Sequence, residues 1–162
     1  MHSDIKGKAA LGSLRANALG GVVMLLIQYC LGISVNLYST LPATDHGKSL
    51  FRGFASAVAD GPLLLSLHAL LGTLLLISAV AAVIRSSRLA APLPIALTAV
   101  ALLAIMIAWL GGSEFVGHMK NSTSLTMALA TAAALLCYTL TLFLPHTSRH
   151  SPASRIEQHE RS

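Results

Sequence analysis

The chain has 162 residues, of which 54% are hydrophobic and only 10% are charged, and its mean hydropathy is +0.71. A soluble domain of average composition carries about 25% charged residues, so the composition excludes an ordinary soluble protein. The net charge of +5 does not indicate nucleic-acid binding, because the basic residues lie between long apolar runs rather than in one patch.

Four runs contain no Asp, Glu, Lys or Arg, and they cover residues 16–44, 61–84, 89–113 and 121–148. Each is long enough for the roughly 20 helical residues that cross a hydrocarbon core. The runs do not alternate polar and apolar residues, so they are not strands of an outer-membrane barrel. The sequence therefore predicts an all-α integral membrane protein, a four-helix transmembrane bundle with up-down-up-down topology.

The first predicted span covers residues 16–39 and ends before Pro42, which cannot continue a helix. The basic residues before it suggest a signal peptide, but the run is too long for one, so we interpret it as an uncleaved anchor. The loop at 40–60 contains apolar residues at three-to-four spacing, which predicts a short helix on the membrane surface. The second span starts at Pro62, in the first turn after a capping acid, and ends near Ile84.

The third span is predicted from Pro92 to about Leu110, where Gly111 and Gly112 should break the helix and open a short loop over 111–120. The fourth span follows the capping residues near Asn121 and ends at Pro145. These limits divide the chain into a cytoplasmic segment at 1–14, a transmembrane domain at 15–145 and a polar cytoplasmic tail at 146–162.

The basic residues set the predicted orientation. Eight of the eleven precede the first span, fill the connection between spans two and three, or lie in the tail: Lys6, Lys8, Arg15, Arg85, Arg88, Arg149, Arg155 and Arg161. Positively charged connections stay on the cytoplasmic side of a membrane. We therefore expect a multi-pass protein of the cell inner (plasma) membrane with both termini in the cytoplasm.

His68 is the one titratable histidine, acid or base that lies well inside any of the four runs. A titratable group at that depth is costly to bury, so it suggests a function. Two interpretations remain open: His68 forms a hydrogen bond to a neighbouring helix, or it is an axial ligand of a haem. Gly72, one turn further along the same face, leaves room for a flat macrocycle or for close helix packing.

A polar stripe on the first span indicates a candidate site in the same region of the bundle as His68. Met24, Gln28, Gly32 and Asn36 recur every four residues and lie on one helix face. Amides avoid lipid, so Gln28 and Asn36 should point into the bundle, either to bond a neighbouring helix or to contact a bound cofactor.

A haem iron needs a second ligand or an open position. Met127 lies six residues after Asn121, as His68 lies six residues after Pro62, so both are about 9 Å from the outer ends of their spans. His118 in the predicted outer loop is the alternative, and His46 in the earlier outer loop is a weaker one. His118 would require the loop at 111–120 to fold inward.

Gln28-Tyr29-Cys30-Leu31-Gly32 late in the first span, followed by an outer loop and Leu67-His68 in the second, resembles one half of the haem A synthase family. The resemblance covers residues 20–80 and implies a four-helix unit that holds b-type haem through histidine, here His68. The family's Glu-x-x-His-Arg motif is missing, because Glu114 and His118 are four residues apart and Met119 follows. The resemblance therefore implies a small membrane cytochrome rather than an enzyme of haem A synthesis.

The sequence leaves two functions open. The first is a b-type haem protein in electron transfer, with haem b as cofactor and a redox partner in or at the membrane. The second is an accessory or assembly subunit without a cofactor, packed against a larger membrane complex. Both have the lipid bilayer as a partner, and the sequence leaves self-association and any catalysis open.

Overall fold

The structure is a computed structural model that describes residues 2–38, 50–59, 61–89, 91–118 and 121–144. These ranges form five helices and contain no strand. The helices are α1 (His2–Tyr38), α2 (Leu50–Ala59), α3 (Leu63–Ser87), α4 (Pro92–His118) and α5 (Asn121–Leu142).

Four of these helices are long and apolar enough to cross a membrane, which confirms the all-helical prediction. Their apolar segments are Ala9–Tyr38, Leu63–Ser87, Pro92–Glu114 and Ser122–Leu142. Each of them also exposes large apolar side chains on its outer face, for example Leu26, Leu74, Leu103 and Leu129. Apolar side chains exposed over all four helices match a lipid environment better than water.

The four long helices form a ring in the order α1, α3, α4, α5, with the closest packing between α4 and α5. In this ring α3 and α5 are diagonal to each other, as are α1 and α4. The short helix α2 packs against α3 and α4 and lies outside the ring.

Helix α1 runs opposite to α3 and to α5 where they touch. On α1, Asn17 lies against Ser78 of α3, whereas Gln28, further along α1, lies against the earlier residue His68. The same reversal joins α1 to α5, where a Cβ on Gly21 would meet Tyr138 and Arg15 donates to the carbonyl oxygen of Leu144. The short connections predicted between consecutive spans are compatible with this packing.

Two helix ends differ from the predictions. α1 begins at His2 rather than near residue 16, because residues 2–15 contain no proline and Leu11 and Leu14 are buried against the bundle. α4 continues through Gly111 and Gly112 to His118, so the predicted loop at 111–117 is helical. A Cβ on Gly111 would lie 3.0 Å from Cγ of Met127, so the glycines allow α5 to approach α4 rather than end the helix.

The bundle has two halves of different character. The closed half comprises residues 9–24, 76–87, 92–104 and 132–144, and its core consists largely of alanines with Tyr138. The cavity half comprises residues 25–38, 63–75, 105–118 and 121–131, together with α2, and it contains a cavity of about 390 Å³. Leu25, Leu75 and Ile105 belong to both the core cluster and the cavity wall, so they form the cavity floor.

Candidate functional site

The cavity lies where the sequence places its candidate ligands. Its walls come from all five helices, and its volume is within the range of about 300–1,000 Å³ that is usual for small-molecule sites. Five of the six predicted site residues line it: Gln28, Asn36, His68, Gly72 and Met127.

His68 and Met127 reach the cavity from the diagonal helices α3 and α5. A group bound between them would therefore lie in the middle of the bundle. The sulfur end of Met127 packs against α4, where a Cβ on Gly112 would lie 3.5 Å from its Sδ. Both side chains are partly exposed, as expected for residues that line an opening.

Gln28 of α1 holds His68 through two contacts. Its Nε2 donates to the carbonyl oxygen of His68 at 3.0 Å and lies 3.3 Å from Nε2 of the imidazole. Because an amide nitrogen only donates, the imidazole Nε2 is the acceptor and the ring proton is on Nδ1. This tautomer is assigned from the hydrogen-bond network, and it keeps a lone pair on the nitrogen beside Gln28.

Two polar atoms of this pair have no hydrogen-bond partner within the described residues. They are Nδ1 of His68 and Oε1 of Gln28, and both are buried. A buried polar atom without a partner costs about 1–3 kcal/mol. The Gln28–His68 pair is therefore incompletely satisfied as it stands, which favours a rearrangement when a ligand enters.

Two glycines make room for this pair. A Cβ on Gly32 would lie 3.2 Å from Cε1 of His68, and a Cβ on Gly72 would lie 3.0 Å from Nε2 of Gln28. The Gln28 amide thus fills the space that Gly72 leaves. The sequence analysis expects that space to accommodate a flat macrocycle or close helix packing.

The sequence analysis does not identify the aromatic wall. Trp109 of α4 lines the cavity and its Nε1 donates to Oγ1 of Thr73 at 3.2 Å. Phe54 of α2 lies over it with a centroid separation of 5.3 Å and an interplanar angle of 43°. Phe54 is one of the apolar residues in the 40–60 segment whose spacing predicts a short surface helix. Only the structure shows that this helix packs on the bundle and covers the cavity.

The cavity opens sideways between α1 and α5. Tyr29 and Asn36 of α1 and Ser124 and Ala128 of α5 line it and are also exposed. Towards the closed half the same two helices are in contact, through Gly21 and Tyr138. In a membrane this opening would face the acyl chains rather than water.

The two remaining candidate ligands, His118 and His46, are not among the described residues that line the cavity. His118 is the last residue of α4 and its side chain lies outside the described part of the chain, as does all of His46. Because α4 is helical to residue 118, no loop at 111–117 exists to fold His118 inward. Among the described residues there is no cluster of three or more His, Cys, Asp or Glu side chains suited to a metal ion.

Comparison with protein-family models, with curated proteins and with solved structures finds no match to this chain.

Proposed function

We propose that this protein is an integral membrane b-type haem protein that takes part in electron transfer. The observation that carries the proposal is the pairing of His68 and Met127, which line one cavity from diagonal helices. Histidine and methionine are established axial ligands of haem iron, and a membrane bundle commonly places such ligands on facing helices.

The residues of the cavity fit such a group. His68 would bind through Nε2, which has the lone pair and now faces the Gln28 amide, and Met127 would bind through Sδ. Gln28 would have to turn away from the imidazole, and its unpaired Oε1 shows that its present position is not fully satisfied. Gly32 keeps a methyl group away from the imidazole ring, and Gly72 keeps one away from the Gln28 amide.

A bound b-type haem supplies one-electron redox chemistry, and the protein tunes it through ligands, nearby dipoles and exclusion of water. Phe54 and Trp109 cover one wall and keep water from it. The Gln28 and Asn36 amides place dipoles at the cavity, where they would influence the reduction potential. Apart from His68, the described cavity lining contains no residue of an acid–base or nucleophilic set beyond isolated hydroxyls, so a redox carrier fits better than a hydrolytic enzyme.

The membrane placement is part of the same proposal. The four apolar helices cross the inner (plasma) membrane up-down-up-down, with both termini in the cytoplasm and the cavity half on the outer side. Support comes from the opposite directions of neighbouring helices and from the eight basic residues that flank the inner ends.

An absorption spectrum of the purified full-length protein from haem-replete cells tests the proposal. We expect a Soret band and a reduced α-band, both lost in His68→Ala. Met127→Leu keeps apolarity and approximate size, so it should change the spectrum and lower the potential without unfolding the protein. Met106→Leu is the matched control, because Met106 is exposed on the outer face of α4 and does not line the cavity.

A colourless preparation would reject the proposal. An altered spectrum in His118→Ala with none in Met127→Leu would retain haem but reject Met127 as the ligand.

The second candidate is an accessory subunit without a cofactor. The Gln28–His68 hydrogen bond supports it, because such a bond between α1 and α3 is a sufficient structural role for both side chains. Ser124, Ala128 and Ala132 also form an exposed row of small residues on α5, where another helix, from a second copy or a larger complex, could approach closely. A colourless protein that co-purifies with a membrane complex in mild detergent would favour this function.

A further inference from the structure

A second, smaller cavity lies at the opposite end of the bundle. It has a volume of about 130 Å³ and is lined by Ala10 and Ser13 of α1 and by Arg85 and Arg88 at the end of α3. This is below the usual volume of a complete small-molecule site, so it suits one compact group whose remainder extends outside.

The chemistry of the walls favours an anion. Arg85 and Arg88, which carry positive charge, and Ser13, which can donate a hydrogen bond, are three of the four lining residues, and the fourth is Ala10. Glu114 is the one acidic residue whose side chain the structure describes, and it lies at the far end of the bundle on α4. On α1 the nearby segment contains Lys6, Lys8 and Arg15 against the single acid Asp4.

One of the arginines is held in place before any ligand binds. Nη1 of Arg85 donates to Oδ1 of Asn17 at 2.6 Å, and Nδ2 of Asn17 donates in turn to the carbonyl oxygen of Ser78 at 3.5 Å. The described residues accept this one hydrogen bond from Arg85, so most of its five N–H donors remain for a ligand. A planar guanidinium matches the oxygens of phosphate, which it binds in a bidentate way.

The position along the helices gives the depth. Arg85 and Arg88 lie at the end of the apolar segment Leu63–Ser87 of α3, and Ala10 and Ser13 precede the charge-free run that starts at residue 16 of α1. The cavity therefore lies at one end of the apolar part of the bundle, where the headgroup layer of a bilayer would begin. The cavity is then at headgroup depth, on the side where the proposed topology places anionic lipid.

We propose that this cavity binds a phosphate group, either that of an anionic phospholipid or free inorganic phosphate. The site rests on the proposed membrane placement only where the source is a lipid, and it is independent of haem binding.

The test uses the full-length protein in phosphatidylcholine vesicles that contain a trace of spin-labelled phosphatidylglycerol. Flotation of protein with the vesicles first checks insertion on its own, and its failure would reject the lipid source. We expect the wild-type protein to prefer labelled phosphatidylglycerol over labelled phosphatidylcholine, and Arg88→Gln to lower that preference about fivefold. Arg88 is exposed, so this substitution should leave the fold intact, as circular dichroism will check.

Arg52→Gln is the matched control, because it removes the same charge from an exposed residue of α2 at the other end of the bundle. An equal loss in both variants, or no loss in Arg88→Gln, would overturn the proposal, since general charge attraction would then suffice. Inorganic phosphate added at constant ionic strength separates the two sources. If it displaces the labelled lipid, the site takes free phosphate as well, and if it does not, the site is specific for the lipid headgroup.

Discussion

The closed half and the cavity half use the same four helices, yet the closed half has a tightly packed core and the cavity half encloses the large cavity. In the closed half the contacts between helices are made by alanines, which let the backbones approach until Tyr138 and Leu14 are almost fully buried. In the cavity half, polar and aromatic side chains such as Gln28, His68 and Trp109 lie among the apolar ones, and the helices enclose about 390 Å³. Along the bundle axis, a tightly packed region thus supports a region that has space for a ligand.

The largest effect should come from adding volume to each half on the same helix. Ala101 and Ala108 are seven residues apart on one face of α4; Ala101 is 0% exposed in the closed core and Ala108 lines the cavity. We expect Ala101→Leu to lower the free energy of unfolding by about 1–3 kcal/mol, because a well-packed core cannot take three more carbons. Ala108→Leu should cost less than about 1 kcal/mol, since its side chain enters open space.

Titration of purified protein in mixed micelles with increasing dodecyl sulfate, followed by circular dichroism, measures both variants. Equal losses would show instead that the cavity half is packed as tightly as the closed half. Haem content provides the second reading, because Ala108→Leu should reduce it while a stable fold remains.

A smaller effect distinguishes two adjacent glycines of the closed half. A Cβ on Gly21 would lie 2.9 Å from Cε2 of Tyr138, which is buried and has no free space to move into, whereas a Cβ on Gly20 meets nothing within 4 Å. Gly21→Ala should therefore destabilise the protein by about 1–2 kcal/mol.

Gly20→Ala is the control and should leave stability unchanged or raise it by up to about 1 kcal/mol, since alanine is the better helix former. The same titration compares the two. A Gly21→Ala protein as stable as Gly20→Ala would mean that α1 and α5 are not in close contact at this level.

Much of the fold follows from the sequence because charge-free runs and proline positions report directly on spans. The end of α4 could not be predicted in this way, because Gly111 and Gly112 considered alone suggest a helix end. Only the position of Met127 shows that these glycines make room for α5. For the cavity, spacing predicts that Gln28 and His68 point into the bundle, as they do, whereas Asn36 lies exposed at the sideways opening. The pairing of His68 with Met127 by equal depth stays a prediction. Trp109 was missed, because a tryptophan near a span end also suits a lipid interface, and its contact with Phe54 depends on how α2 folds back.

The smallest expected effect concerns the hydroxyl of Tyr138. It is buried without a hydrogen-bond partner among the described residues, as are Nδ1 of His68 and Oε1 of Gln28 at the cavity. At the large cavity a ligand can change the positions of the unpaired atoms and satisfy them, whereas Tyr138 lines neither of the two cavities. The Tyr138 hydroxyl is therefore only a cost, and Tyr138→Phe should leave the free energy of unfolding unchanged or raise it by up to about 1 kcal/mol. The substitution keeps the ring against Gly21, so packing is preserved. A loss of more than about 1 kcal/mol in the micelle titration would show instead that the hydroxyl has a partner, and that the closed half contains a polar contact of its own.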